Sequence, residues 1–457
     1  MLQFFRINDP YRIVFVFLIL ILIRVGWIIF GLPLSIPELK WLLVGERLGD
    51  GFTMYRDLYD HTGPLAALVY KWLDFIFGRS RWVHIVVSTI LVTIQGSILN
   101  NILLRNKAYS ENNYLPAFFY VLCSASVLDF FALSPQLMAI TFILLSLNQI
   151  FRRIDNVITD ELFLYCGIYL GLATFFYLPA VVFFVIFLVS FILFSSAIAR
   201  RLLLFIYGSS AVFVVVWAYF FWHESAGDFL NAFFVAGVQK PKIFYIDYWE
   251  LLKVGGFLAG SMLVGLTTLV TQRFTNFQQK MQRVMTLFIV AGMIVIIANR
   301  ELMVPDLIFF VPSIAFFLAY YFLGIRKRIW RFSMPYLVIF GLVIYPYFFI
   351  DSKEMQRSIV KNESLLEGRV MGITSGISIY ENAEIAGPFL DEYISKQRLE
   401  NLDYFDEAAD LFASLDESDA DFIIDEWGVA SDIFHRFPKF ADRYEQIGPG
   451  RYRLISN

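Results

Sequence analysis

The sequence predicts a polytopic α-helical membrane protein with about eleven transmembrane helices, amphipathic helices on its outer face and a small C-terminal α/β domain. Three observations predict it. Hydrophobic residues make up 58% of the 457 and charged residues 17%, with a mean hydropathy of +0.63, which is outside the range of soluble globular chains. Apolar windows of about 20 residues, the length that crosses hydrocarbon, recur up to residue 350. Beyond Asp351 the composition changes, and more than half of the 40 acidic residues lie there.

The windows place spans at 10–31, 82–104, 115–133, 134–150, 160–176, 178–198, 201–222, 251–272, 284–299, 302–323 and 330–350. The first is read as a retained span, because it is long, contains Arg24 and is not followed by a small-residue cleavage site. With this count Arg6 and Arg12, Arg105 and Lys107, Arg152 and Arg153, Arg200 and Arg201, Arg273, Lys280 and Arg283, and the basic group from Arg326 to Arg331 fall on one side. Basic loops mark the cytoplasmic side, so the N-terminus is expected there and the C-terminal domain in the periplasm of a bacterial inner membrane. Pro135, Pro179, Pro305 and Pro312 sit in or beside spans and predict kinks. Cys123 and Cys166 lie in apolar runs and offer neither a disulfide framework nor a thiolate metal site. No basic face fit for nucleic acid is present.

The division expected from composition is a membrane domain over 1–351, including an outer loop at 32–81, and an extracytoplasmic domain over 352–457. In the loop, residues 37–49 put Leu39, Leu42, Leu43 and Leu48 on one helical face and begin with Pro37, which is suited to a first helical turn. Residues 64–77 repeat the pattern, with Lys71 and Asp74 as polar marks. Two amphipathic helices on the membrane surface are expected, joined by the polar turn 50–63. In the tail, 369–374 and 421–426 read as short buried strands, 390–417 and 428–437 as helical, and the end as a hairpin around Gly448-Pro449-Gly450.

Chemistry is expected under the outer loop. Glu38 follows a proline at a helix start, where the helix terminus stabilises negative charge; there it could serve as a general base or help to hold a divalent cation. Asp57, Asp60 and His61, with Tyr55 and Arg56 beside them, are spaced for acceptor orientation, for hydrogen bonds to a sugar or for a hard-metal site, and equally for structural pairing. Mg or Mn would suit such oxygens, but no residue pattern requires a metal. Arg300, at the end of a span, and the pair Lys240 and Lys242 are candidate phosphate or substrate contacts, or anchors to lipid headgroups.

The stretch Gly51-Phe52-Thr53-Met54-Tyr55-Arg56-Asp57-Leu58-Tyr59-Asp60-His61-Thr62-Gly63-Pro64-Leu65 resembles the loop pattern G-x-x-x-Y-R-D-x-x-D-H-x-x-P-L of the GT-C superfamily. These are membrane glycosyltransferases that use polyprenyl-phosphate sugars, among them protein O-mannosyltransferases and the aminoarabinose transferases of lipid A. The resemblance implies a GT-C-like fold, a polyprenyl-phosphate donor and a glycan, lipid or protein acceptor at the outer face. It also implies an acidic pair at the start of the loop helix. Here that pair reads Pro37-Glu38, so the family's catalytic aspartate position is a proline and Glu38 matches the second member. The family's basic residue near Gly167 to Pro179 has no counterpart here, and its late Arg-His pattern stands as Arg300-Glu301. Two functions follow from the resemblance. One is transfer of a sugar from a polyprenyl-phosphate donor; the alternative is a non-catalytic scaffold that binds a protein partner in an envelope secretion, motility or assembly complex. A coupled transporter would call for an internal repeat and a buried charge network, and neither is visible in the spans.

Overall fold

The computed structural model describes residues 2–7, 9–154, 159–195, 199–325, 328–348, 359–360, 368–400, 405–416 and 418–455. By its internal contacts the chain divides into two units. The membrane unit comprises Met1–Leu32, His84–Val215 and Lys242–Arg357; the loop–tail unit comprises Pro33–Val83, Val216–Pro241 and Ser358–Asn457. This grouping cuts the chain differently from the compositional division at 351 and 352, because the outer loop packs with the tail.

Among the described residues, six helices are long and apolar enough to cross a membrane: Arg12–Ile29, Arg81–Arg105, Pro135–Ile154, Ala199–Trp222, Asn276–Ala298 and Val304–Gly324. The pair Tyr248–Val254 and Gly256–Thr271, bent by 69°, makes a seventh if it counts as one span. The remaining expected spans are helical but short. Leu115–Ala125 has 11 residues, Glu161–Phe176 has 16 and Arg328–Ile344 has 17, and Leu178–Phe194 also falls in this shorter class. Hydropathy windows see apolar content and not the breaks inside it, which is why eleven windows yield six or seven full-length spans. The prolines act as helix starts more than as kinks. Pro135 opens its helix, Pro179 lies in the short 3-10 turn Leu178–Ala180, Pro305 opens the 3-10 stretch Val304–Phe310 and Pro312 lies in the first turn of Val311–Gly324. A first turn needs no donor from the ring nitrogen.

Two polar knots fix the membrane unit. Arg24, fully buried, donates to the hydroxyls of Ser88 and Thr89 at 2.7 Å each and to the Phe130 carbonyl at 2.9 Å, with its guanidinium 4.6 Å over the Phe131 ring. Neutral acceptors and a ring face thus replace water around a buried cation. Asp306, also fully buried, accepts from Gln136 at 3.1 Å, from Asn299 at 2.8 Å and from the Tyr177 hydroxyl. That set holds the 3-10 stretch that opens the Val304–Gly324 span. Both cysteines are free and buried, as small core residues.

Helices Glu161–Phe176 and Ala199–Trp222 cross through reciprocal glycines. A Cβ on Gly167 would overlap the Phe205 carbonyl oxygen, and one on Gly208 would overlap the Leu164 carbonyl. Small residues at such a crossing let the backbones touch. Gly167→Leu is expected to cost about 1–3 kcal/mol or more through overpacking against backbone that cannot move aside. The melting temperature in detergent should fall clearly, while Gly260→Leu, at a position with nothing within 4 Å, should leave it unchanged.

In the loop–tail unit, the loop helices form at Ile36–Gly49 and Pro64–Phe77. The first starts on a Ser35 cap, whose hydroxyl accepts from the Glu38 N–H at 3.3 Å, with Pro37 in the first turn. It does not lie on a surface. Leu39 and Leu43 are buried, and so are Glu38, Lys40 and Arg47 on its other sides. It presses against its neighbour so closely that a Cβ on Gly45 would stand 3.0 Å from the Tyr70 carbonyl oxygen. The second helix keeps Trp72, Phe75, Ile76 and Phe77 exposed, the apolar face that an interfacial helix requires.

The tail forms a five-stranded sheet in the order Glu384–Ile385, Arg369–Ile373, Phe422–Asp425, Arg451–Leu454, Tyr444–Gly448. The first three strands are parallel, and the last two form the expected antiparallel hairpin. Helices Glu392–Glu400, Phe405–Asp416 and Ala430–Arg436 complete it.

Loop and tail are tied at several joints, two of them through the backbone of the tail near Ile385 and Pro388. Tyr59 N–H donates to the Pro388 carbonyl and Asp391 N–H to the Tyr59 carbonyl, both at 2.8 Å. Arg79 pairs with Glu46 at 3.2 Å and donates to the Ala383 carbonyl at 2.7 Å, while Glu46 accepts from the Ile385 N–H at 3.1 Å. Burial raises the Glu46 carboxyl to about 7 from an ordinary value near 4.5, against the pull of Arg79. The folded form therefore holds its proton more tightly than the unfolded one. The stability this brings is complete below the unfolded value and is lost as pH rises through about 7, up to about 3 kcal/mol in all. The melting temperature should fall between about pH 5 and about pH 8, and Glu46→Gln, which keeps an acceptor for Ile385, should flatten that dependence.

Candidate functional site

The turn between the loop helices is built to bury its own residues. Tyr55 has φ +72°, a left-handed conformation rare for an aromatic residue, and is closed by its N–H donating to the Leu58 carbonyl at 3.1 Å. Its hydroxyl donates to the Thr62 carbonyl at 2.7 Å, and its ring packs on Phe220 and Phe229. Tyr55 thus shapes the turn from inside. Asp57 accepts from the Thr53 N–H at 2.8 Å and lies 3.7 Å from Arg56, which also reaches Asp410 at 3.9 Å near the surface.

This folding brings Asp60 and His61 together with three residues from distant parts of the chain. Asp60 Oδ1 lies 2.6 Å from Lys40 Nζ, on the second turn of the first loop helix. Its Oδ2 accepts from the Thr62 N–H at 3.0 Å. His61 Nδ1 is 2.9 Å from Asp391 Oδ2 and 3.5 Å from Asp60 Oδ1. Lys240 Nζ is 3.0 Å from Asp391 Oδ2, and Lys40 Nζ is 3.6 Å from it. Asp391 Oδ1 accepts from the N–H groups of Tyr393 and Ile394 at 3.1 and 3.3 Å, which caps helix Glu392–Glu400.

Four of these five side chains are buried at the level of a protein core, and His61 keeps 20% of its side chain accessible. Burial pushes the Asp60 carboxyl up, but Lys40 and His61 outweigh it and hold the group below the usual carboxylate range. For Asp391, burial is likewise outweighed by Lys240, His61 and Lys40. Both carboxylates are therefore ionised at neutral pH, and two ammonium groups balance them. Lys240 Nζ also lies 3.4 Å from His61 Nδ1, and a proton on Nδ1 shared with Asp391 leaves Nε2 free to take another.

Asp60, His61 and Asp391 offer three ligand atoms within 4.8 Å of one another, so the group could hold a metal ion. Two carboxylates and an imidazole are a reasonable donor set for a divalent cation. The lysine ammoniums already lie against those same oxygens, at 2.6 and 3.0 Å. A cation would have to displace them.

The other sequence candidates stand apart from the cluster. Glu38 is buried, and both of its oxygens face Arg81, at 2.9 and 3.1 Å; Arg81 also donates to the Pro33 carbonyl at 2.6 Å. Burial raises the Glu38 carboxyl and Arg81 opposes the rise. Lys242, which the sequence pairs with Lys240, belongs to the membrane unit. There it donates to the Ile297 carbonyl at 3.0 Å, near the C-terminus of helix Asn276–Ala298, a favourable place for a cation. Arg300 is half-buried in the same unit, and its carbonyl accepts from the Ile243 N–H at 2.7 Å, beside the short parallel pairing of Ile243–Phe244 with Glu301–Leu302.

Sequence reasoning missed Lys40 and Asp391. Lys40 stands among leucines in an apolar helix, and Asp391 is one acid among many in the tail. The one available signal was that Asp391 stands at the start of the helical stretch 390–417, where an aspartate caps.

No family model matches the chain, and no curated protein sequence matches it. Its structure is similar to that of ArnT from Cupriavidus metallidurans bound to undecaprenyl phosphate, with 15% identity and a TM-score of 0.52 over 74% of this chain. The match spans 66% of that protein, slightly under two thirds of its length. It is also similar to the Archaeoglobus fulgidus oligosaccharyltransferase in the apo form, with 12% identity, a TM-score of 0.51 and coverage of 95% of this chain and 73% of that one. The archaeal oligosaccharyltransferase AglB from the same organism, in complex with an inhibitory peptide and a dolichol-phosphate, matches with 11% identity and a TM-score of 0.50 over 98% of this chain and 75% of that one. At these identities the likeness concerns the fold alone: this is a mostly helical polytopic chain with the architecture of those structures and a small C-terminal mixed sheet.

Proposed function

We propose that the chain transfers a sugar from a polyprenyl-phosphate donor to a hydroxyl acceptor at the outer face of a bacterial inner membrane, with the N-terminus cytoplasmic and residues 352–457 periplasmic. The observation that carries the reading is the buried Asp60–His61–Asp391 group, matched by Lys40 and Lys240. Asp60 and His61 sit on the loop segment that resembles the GT-C pattern, in a chain with a GT-C-like fold. The solved relatives support the donor class, since one holds undecaprenyl phosphate and another a dolichol-phosphate.

In the proposed step the acceptor oxygen attacks the anomeric carbon opposite the phosphate. The bond from that carbon to the phosphate oxygen breaks, with its electron pair staying on the phosphate, and the acceptor proton passes to His61 Nε2. Asp391 orients the ring and stabilises the imidazolium that forms. Lys40 and Lys240 keep both carboxylates charged and in place. We assign the base to His61 rather than Glu38 because Arg81 engages both Glu38 oxygens. Glu38 then acts as a positioning residue for the start of its helix. Arg300, with no carboxylate partner among the described residues, is proposed separately as a contact for the donor phosphate.

A second reading, a GT-C-like scaffold in an envelope assembly complex, is favoured by Pro37 at the family's aspartate position and by the basic partner that each buried loop acid possesses. Mass spectrometry of the purified full chain separates the two readings. A transferase retains a polyprenyl phosphate, or binds added undecaprenyl phosphate. Absence of both, with a protein partner co-purifying, would favour the scaffold.

A further inference from the structure

In the membrane unit, a groove of about 780 Å³ opens between helix Val181–Ser195, the turn Thr268–Thr271 and the first turns of helix Asn276–Ala298. Its wall is apolar, with Leu193, Leu269 and Leu287, of which Leu193 and Leu269 are exposed as lipid-facing side chains are. The lining also includes Arg273 and Arg283, both exposed. Neither has a carboxylate partner among the described residues. The sequence offers none nearby, since no acidic residue occurs between Glu250 and Glu301.

The lining also includes a buried donor. Gln282 lines the groove with 4% of its surface accessible, and its Nε2 is buried without a hydrogen-bond partner among the described residues. An unpaired buried amide N–H is costly, and a turn of the side chain that brings Nε2 to an acceptor oxygen in the groove relieves that cost. Two cations, one unpaired donor and an apolar wall together select an anion carried on an acyl chain.

We propose that this groove binds the phosphate headgroup of an anionic membrane lipid, with Arg273 and Arg283 facing the phosphate, Gln282 Nε2 donating to a phosphate oxygen and an acyl chain lying along Leu193, Leu269 and Leu287. The proposal is independent of sugar transfer, and none of these residues belongs to the Asp60–His61–Asp391 cluster. Phosphate reaches such a site as lipid or as free anion; the apolar wall argues for lipid.

Native mass spectrometry of the full chain in detergent, titrated with phosphatidylglycerol, phosphatidylcholine or inorganic phosphate, tests it. Phosphatidylglycerol should bind about tenfold more tightly than phosphatidylcholine. That preference should vanish in the Arg273→Gln/Arg283→Gln double variant and weaken in Gln282→Met, which keeps the side-chain volume. The arginines are exposed, so their replacement leaves the packing intact and the test valid even if Gln282→Met proves unstable. Equal retention of the two lipids, an unchanged preference in the arginine variant, or displacement of phosphatidylglycerol by millimolar inorganic phosphate would overturn the lipid site.

Discussion

Asp391→Ala is expected to destabilise the loop–tail unit by about 3–5 kcal/mol, the cost of breaking a buried ion pair and leaving its partner charged. One carboxylate oxygen faces Lys240 at 3.0 Å, His61 at 2.9 Å and Lys40 at 3.6 Å. The other caps the helix that follows. Removal strands Lys240, which is fully buried. Two further variants apportion the loss. Asp391→Asn keeps acceptors for the cap and removes the charge, so it should recover only the capping part, about 1 kcal/mol. Adding Lys240→Met to Asp391→Ala should recover more, because the stranded ammonium is gone. Thermal melting of the detergent-solubilised chain reads all three. A loss below about 1 kcal/mol for Asp391→Ala would mean that water reaches the cluster freely.

The second large effect concerns transfer. Replacing His61 by Asn should lower the rate by about 10²–10⁴, the usual contribution of a positioned general base. Folding should survive, because the Asp60–Lys40 and Asp391–Lys240 pairs remain. Asp391→Asn should also slow transfer, by weakening the orientation of the ring. Its effect should fall mainly on kcat, with little change in acceptor KM, since in the proposed step Asp391 stands behind His61 and away from substrate.

Much of the fold was legible because it is written in local patterns. Apolar windows, Pro37 and Pro64 at helix starts, and Gly448-Pro449-Gly450 between two short strands all act within a few residues of themselves. The loop helix 36–49 was legible as a helix but not in its setting. Its leucines and its charged residues are buried alike, because the tail covers the side that the pattern assigns to solvent. Span number was overread, since a window over 115–133 does not register that Ser126 ends one helix and a 3-10 turn follows.

The site was half legible. Asp60 and His61 were marked by their spacing and by the resemblance of the surrounding turn, and Lys240 was singled out as a basic residue without its partner being visible. Their partners Lys40 and Asp391 lie on other elements, Lys40 on the preceding loop helix and Asp391 in the tail, where the bridges between Tyr59, Pro388 and Asp391 hold it against the turn. Lys240 and Lys242, adjacent but for Pro241, part company because the chain passes from one unit to the other there. Glu38 was legible as a helix-start acid, but neither its burial nor its engagement by Arg81 was, because Arg81 lies 43 residues further along the chain.

The central claim is that the Asp60–His61–Asp391 group works on an acceptor in sugar transfer. It is tested most directly by reconstituting the full chain and its His61→Asn variant in liposomes with a radiolabelled polyprenyl-phosphate sugar and an acceptor extract from the source membrane. The wild type should move label to the acceptor, and the variant, with an unchanged melting temperature, should move at least about a hundredfold less. Equal transfer by the two proteins would contradict the account.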